Sequence, residues 1–331
     1  MSGSIGSERR VLTPAALRGW PLPVPDNEKT LGRVLIVGGS RGTPGAVLLA
    51  GVAALRVGAG VLQLAGPASV ATALGIHVPE AQAFGLPETA TGAVARDAAD
   101  GLADLLAGAR AVLIGPGLFG VEGSQSLVTR LVERVGPATM LVLDAYALRG
   151  LRPASVAAVA GRLVLTPNTG EAAALLDVAE EAMGDLGEAA GEIASRFGTT
   201  VALHGHVAAA ERGGWVDESA NNRVGMSGSG DVLAGLVTGL LARGATTAQA
   251  ACWGTHVHAS AGDRLSARIG RLGFLAREIL DEVPPILTDL GARLSPRSSA
   301  GAVDRYRAAG PPAWDAIGRV RGGWWWRAVA L

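Results

Sequence analysis

Residues 224–244, V-G-M-S-G-S-G-D-V-L-A-G-L-V-T-G-L-L-A-R-G, change character abruptly at Asp231. Small, flexible residues give way to an apolar run of helical period: Val232, Leu233, Leu236, Val237, Leu240 and Leu241. A glycine-rich turn feeding a helix leaves several backbone N–H groups unpaired and aimed at one point, where they and the helix dipole favour an anion. Gly228, Ser229 and Gly230 are therefore the expected phosphate nest. Asp231, a carboxylate at the mouth of an anion site, has two readings. It is a dipole-stabilising residue of the first helical turn, or a base that takes a proton from a hydroxyl attacking a bound phosphate.

Working outward, the same strand–glycine–helix pattern recurs along the chain. R-V-L-I-V-G-G-S (33–40) is a continuously apolar strand ending in glycines, followed by a helix over 44–57. V-L-Q-L-A-G-P (61–67), A-V-L-I-G-P-G (111–117), M-L-V-L-D-A (140–145), R-L-V-L-T-P-N (162–168) and T-T-V-A-L-H-G (199–205) read as further strands. Helices are expected over 96–107, 125–135, from near Glu171, over 187–197, and after residue 244 over 247–268 and 276–290; residues 211–217 suggest a hairpin edge. Such alternation predicts one α/β domain, a mostly parallel sheet with helices on both faces and ligands beyond the carboxyl ends of its strands. Residues 1–31 read as an N-terminal arm with one short helix, 32–294 as the domain, and 295–331 as an aperiodic, disordered tail. No function attaches to its Trp324–Trp326 run.

The 331 residues are 49% hydrophobic with a net charge of zero, enough for a sizeable core and a poor match to nucleic acid. No apolar run reaches membrane-spanning length, the N-terminus lacks an apolar signal region, and the single cysteine, Cys252, fits a reducing cytoplasm. Lys29 is the sole lysine, which removes several mechanisms. G-G-S-R-G-T-P-G (38–45) lacks the Lys-Ser/Thr of a Walker loop, and Tyr146 has no lysine four residues on. G-P-G-L-F-G (115–120), with Asp144 at the end of the next strand, fits the dinucleotide fingerprint on paper, but Pro116 and its mid-chain position weaken it. His204 and His206 alternate onto one strand face, while His256 and His258 fall on different helix faces, and no zinc-ligand spacing results. In L-T-P-N-T-G-E (165–171), Asn168 and Glu171 can hold waters around a Mg²⁺ that bridges nucleotide phosphates, while Thr169 caps the helix.

Taken together and in order, G-R-V-L-I-V-G-G-S-R-G-T-P-G-A, A-A-L-R-V-G-A-G-V, V-P-E, I-G-P-G-L, L-V-L-D-A, L-T-P-N-T-G-E, G-M-S-G-S-G-D-V-L-A-G and H-A-S-A-G-D resemble the ADP-dependent NAD(P)H-hydrate dehydratases of the ribokinase-like superfamily. The resemblance runs from about Leu12 to Leu290. It implies a ribokinase-like fold and a metabolite-repair lyase that uses ADP, with Mg²⁺, to remove water from (6S)-NADHX or NADPHX. Hydrate contacts fall at Ala46, Gly117, Asn168 and Asp231, and the nucleotide segment at His204, Gly205, His206, Val207 and Ala208 together with Gly230. Asp231 is then the base, and Glu171 a metal ligand through water. A homo-oligomer is implied, as is work beside a separate NAD(P)HX epimerase, whose domain is absent here.

Two residues depart from that family. It usually has histidine where this chain has Asn168, and L-K-G-x-x-T where this chain has L-H-G-H-V-A. His204 is thus expected to replace a fixed cation with a weaker, titrating one. Asn168 completes the N-x-x-E of ribokinase-type kinases, which makes a small-alcohol kinase the nearest rival. An ADP-binding sensor without turnover is the rival from another class.

Overall fold

The computed structural model describes residues 9–23, 32–210, 213–219 and 225–291. The stretch from Ala292 to Leu331, where the tail and its tryptophans were placed, lies outside the described residues.

Among the described residues ten strands form one sheet: β1 (Arg10–Val11), β2 (Arg33–Val37), β3 (Val61–Pro67), β4 (Ala81–Leu86), β5 (Ala111–Ile114), β6 (Met140–Leu143), β7 (Leu163–Leu165), β8 (Thr200–Leu203), β9 (His206–Ala209) and β10 (Gly213–Val216). Their order is β1-β10-β9-β8-β7-β6-β5-β2-β3-β4. Every pair from β4 through β8 is parallel, and β8, β9 and β10 then form an antiparallel meander. The arm joins the sheet, since β1 pairs in parallel with β10, and Trp20 stacks on Trp215 at 6.0 Å between ring centroids.

Alternate residues of each central strand feed two different cores, as a period of two requires. Val34, Ile36, Leu113, Val142 and Val164 face α2 (Pro44–Arg56), α9 (Ser229–Ala242), α10 (Thr247–Arg268) and α11 (Ala276–Gly291). Leu35, Val37, Val112, Ile114, Leu141 and Leu143 face α5 (Val121–Val132), α7 (Thr169–Leu176) and α8 (Leu186–Phe197). The remaining helices are α1 (Pro14–Arg18), α3 (Ala68–His77), α4 (Ala103–Gly108) and α6 (Pro153–Val156). Both faces of the sheet are covered, the doubly wound arrangement that the alternation predicted.

The central helix is α9. Every residue from Ala234 to Ala242 is buried, so it is apolar all round, as a helix inside a core must be. Its contact with α2 is between backbones: a Cβ on Gly235 would lie 2.2 Å from the Ala50 carbonyl oxygen, and one on Gly239 2.6 Å from that of Ala54. No branched side chain fits there. This seat fixes where the N-terminus of α9 emerges.

Three local differences from expectation have plain causes. The helix expected over 96–107 starts as a 3₁₀ stretch, Arg96–Leu102, before α4. α3 and β4 went unforeseen because β4 is an edge strand with neither face deeply buried, and of α3 only Leu74 is buried. His204 and His206 do not share a strand face. His204 (φ 44°) and Gly205 (φ 83°) form the two-residue loop between β8 and β9, with Leu203 paired to His206. Such a loop needs positive φ at both positions, and histidine is among the few side chains that tolerate it.

Among the described residues no helix is long and apolar enough to cross a membrane.

Candidate active site

The parallel strands all end on one side, and their next residues converge there: Gly38 after β2, Gly115 after β5, Asp144 after β6, Thr166 after β7 and His204 after β8. Between β2 and β5 the strand order reverses, the place where open α/β sheets leave a crevice. A cavity of about 500 Å³ opens at this edge, lined by Asp144, Thr166, Asn168 and Glu171 on one side and by His204, Gly205 and Gly228–Asp231 on the other.

The N-terminus of α9 forms one wall. Gly228 is its N-cap with φ 88°, and a Cβ there would strike the Leu49 side chain of α2 at 2.7 Å. Gly228 has no side chain to cap the helix, and Ser229 N donates to Met226 O at 3.1 Å, so it is the next N–H groups of the first turn, at Gly230 and Asp231, that lie where an anion at the cavity would meet them. Gly230 differs from what its place in the turn suggested: its φ is ordinary, and a Cβ there would meet nothing within 4 Å. Its value is open space facing a ligand rather than unusual backbone angles. From behind, His258 Nε2 donates to the Ser229 carbonyl oxygen at 3.0 Å. A carbonyl can only accept, so the proton sits on Nε2, and burial holds the ring neutral by pushing its pKa down to about 4.

Opposite lies the capping box of α7. Asn168, not Thr169, is its N-cap: its Oδ1 accepts from Glu171 N at 2.8 Å, and Glu171 Oε2 accepts from Asn168 N at 3.0 Å. Thr169 instead bonds Glu180 through its hydroxyl.

Three carboxyls share this space, and their surroundings push them apart in acidity. Burial, then the Glu171 charge, raises Asp231 to about 6. Burial, then the charges of Asp231 and Glu171, raises Asp144 to about 8, against the pull of the Thr166 hydroxyl bonded to it at 2.8 Å. Burial also raises Glu171, while its capping bonds and the Arg149 charge pull it down. At neutral pH Asp144 keeps its proton and Asp231 is ionised, a neutral acid beside a competent base.

Of the residues singled out from sequence, Asn168, Glu171, His204, Gly205, Gly228, Ser229, Gly230 and Asp231 line this one cavity. Ala46 and Gly117 do not. They lie together next door, where a Cβ on Gly117 would come within 3.0 Å of the Ala46 methyl, and Thr43 Oγ1 donates to Gly117 O at 2.8 Å. The glycine turn at 115–120 is thereby tied to the 38–45 turn, and Gly39 N donates to Pro116 O at 2.7 Å. His206, Val207 and Ala208 leave the cavity as β9, and Val207 and Ala208 are buried in the two cores. Among the described residues no three histidine, cysteine or acidic side chains form a ready metal cluster.

Sequence reasoning missed Thr166, Thr255, His258 and Arg149, and treated Asp144 only as part of a doubtful fingerprint. Asp144 had a usable signal, a carboxylate at the end of an apolar parallel strand. The helical His256 and His258 had none beyond their type: His256 pairs with buried Asp217 at 2.7 Å, behind the cavity.

With this geometry in view, comparison with known proteins is specific. The sequence profile of the NAD(P)H-hydrate dehydratase family matches residues 34–285. The chain is 44% identical over 298 residues to the ADP-dependent (S)-NAD(P)H-hydrate dehydratase of Xanthomonas campestris pv. campestris, covering 86% of this chain and 98% of that one. It is 36% identical to the bifunctional NAD(P)H-hydrate repair enzyme of Moorella thermoacetica, covering 88% of this chain and 56% of that longer one. In structure it resembles the ADP/ATP-dependent NAD(P)H-hydrate dehydratase of Bacillus subtilis, co-crystallized with ATP/Mg²⁺, with a TM-score of 0.73, 26% identity, and coverage of 87% of this chain and all of that one.

Proposed function

The chain belongs to the NAD(P)H-hydrate dehydratase family, and from that premise we propose that it uses ADP to remove water from (6S)-NADHX and NADPHX, with Asp231 as the base. The observation that carries the assignment of the base is its position: an ionised carboxylate in the first turn of α9, at the open N–H groups of an anion site.

Asp231 accepts the proton of the 6-hydroxyl as that oxygen attacks the terminal phosphorus of ADP. The bond to the bridging oxygen breaks, and AMP leaves. The N-terminus of α9 at Gly228–Asp231 stabilises charge on the transferring group. Phosphate then departs from C6 with the C–O electron pair, pushed by the lone pair of the ring nitrogen. Loss of a proton from the neighbouring ring carbon restores the dihydronicotinamide. Ala46 and Gly117 position the hydrate ring beside Asp231, with Asn168 across from it. Asp144, neutral, adds no charge against the diphosphate.

The residues fit a divalent cation. Glu171 and Asp231 bring two carboxyl groups to a site for a diphosphate, where the charge of one raises the pKa of the other, a crowding of negative charge that a cation between them would relieve. Mg²⁺ would supply charge neutralisation of the phosphate oxygens, held through water by Glu171. Glu171→Gln should raise the Mg²⁺ concentration for half-maximal turnover several-fold; an unchanged Mg²⁺ dependence would remove Glu171 from this role.

We place the protein in the cytoplasm, as a homo-oligomer, working together with an NAD(P)HX epimerase. The bifunctional repair enzyme of Moorella thermoacetica, of which this chain covers 56%, supports that pairing of activities. Sedimentation of the protein tests the association.

The deciding experiment supplies NADHX, ADP and Mg²⁺ and measures products. Dihydronicotinamide, AMP and phosphate should appear in equal amounts. A phosphorylated hydrate that accumulates would instead make the protein a kinase, and ADP binding without product would make it a sensor.

A further inference from the structure

The loops that follow β5 and β6 leave the sheet back to back. Gly115, with φ 134°, lies so close to the end of β6 that a Cβ on it would sit 1.8 Å from the Asp144 carbonyl oxygen. On the next loop Ala145 adopts φ 51°, uncommon for a side chain with a Cβ. Together they set Phe119 beside Tyr146, with ring centroids 6.3 Å apart and planes tilted by 45°. Arg149 completes the row, its guanidinium carbon 5.1 Å from the Tyr146 ring centroid. Its main chain is pinned, because the Gln125 side-chain amide donates to Arg149 O at 3.1 Å. Phe119 is nonetheless 54% exposed. An exposed phenylalanine backed by a half-buried tyrosine and an exposed guanidinium has the chemistry to hold a base and a phosphate.

Its place decides which ligand. Phe119 follows Gly117 by two residues, on the side of the crevice assigned to the hydrate ring. His204 and Gly205, assigned to ADP, follow β8, three strands from β5 and roughly 14 Å away across the sheet. The acids at β6, β7 and α9 stand between. ADP thus has its own segment, and the shelf faces the other substrate, a dinucleotide whose second half takes no part in the chemistry.

We propose that Phe119, Tyr146 and Arg149 form a recognition shelf for the adenosine-diphosphate half of the hydrate, the rings stacking on its adenine and Arg149 pairing with its pyrophosphate. The proposal rests on the dehydratase reading and makes these residues determinants of specificity rather than of chemistry. It predicts preference for a dinucleotide hydrate over the hydrate of the reduced mononucleotide.

The test compares wild type, Phe119→Ala and Tyr146→Leu on two substrates, NADHX and the hydrate of reduced nicotinamide mononucleotide, which lacks the adenylate. Each variant should raise the KM for NADHX on the order of tenfold with kcat retained, the pattern of lost uniform binding. The KM for the mononucleotide hydrate and for ADP should not move. An equal rise for both hydrates, a rise in the KM for ADP, or no change with NADHX would overturn the shelf. Calorimetry with NADHX in the absence of ADP separates this from failure of the dehydratase reading. A protein that binds NADHX without turnover refutes the reaction yet still tests the shelf through the Kd of the variants. A protein that does not bind NADHX refutes both.

Discussion

The ring of His258 and the carbonyl of Ser229, 3.0 Å apart, tie the middle of α10 to the first turn of α9. That turn carries Asp231 and the proposed anion nest, so a buried neutral histidine holds the proposed catalytic end of the helix in place. Burial depresses its pKa to about 4, so the folded state binds fewer protons than the unfolded chain between there and the ordinary histidine value. The contribution of His258 is therefore present above about pH 6.5 and is lost as pH falls toward 4. His258→Gln keeps a donor for Ser229 without titrating. Thermal unfolding at pH 7 and pH 5 should show the variant losing about 2 kcal/mol less than wild type over that interval. Equal losses would mean that His258 is not held neutral.

Gly235 and Gly230 lie five residues apart in one helix with opposite surroundings. Gly235→Val drives a branched side chain into the Ala50 carbonyl and should cost about 3 kcal/mol or more, read as a fall in Tm of several degrees. Gly230→Val meets open space, so the fold should survive while ADP binding is blocked. Calorimetry and thermal unfolding of the pair separate the two; a stable Gly235→Val protein would refute the close α2–α9 contact.

His204 lines the cavity in a left-handed turn and is exposed, the position from which its side chain can meet a phosphate. His204→Lys supplies a permanent charge there and should tighten ADP by ~1 kcal/mol, read by calorimetry. Identical ADP affinities for both proteins would leave the nucleotide to the backbone of α9 alone.

Much of this was readable before any coordinates. The continuously apolar strands and the period-3.6 runs gave the α/β layers, because their burial is strong and repetitive. Gly228–Asp231 was legible because caps and nests are local and leave their residues in sequence; the turn at 165–171 was legible as a helix start, but its cap is Asn168 rather than the expected Thr169. α3 and β4 were not, since neither buries enough on one face to print a period. The pairing of His258 with Ser229, the trio of carboxyls and the Phe119–Tyr146–Arg149 row depend on contacts between segments far apart in the chain. Composition could not show them. Gly230 was misjudged for a related reason: a glycine in a turn suggests unusual φ, and only the fold shows that its neighbour Gly228 carries it.

The central claim is that Asp231 at the head of α9 takes the proton from the hydrate hydroxyl. Asp231→Asn preserves shape and removes the base, so the direct measurement is recovery of dihydronicotinamide absorbance from NADHX with ADP and Mg²⁺, beside calorimetry with ADP. The account predicts a fall in kcat on the order of 10²–10⁴-fold with ADP affinity within a few-fold of wild type, and a wild-type rate that declines as pH drops through about 6. A variant that turns over within a few-fold of wild type would contradict it.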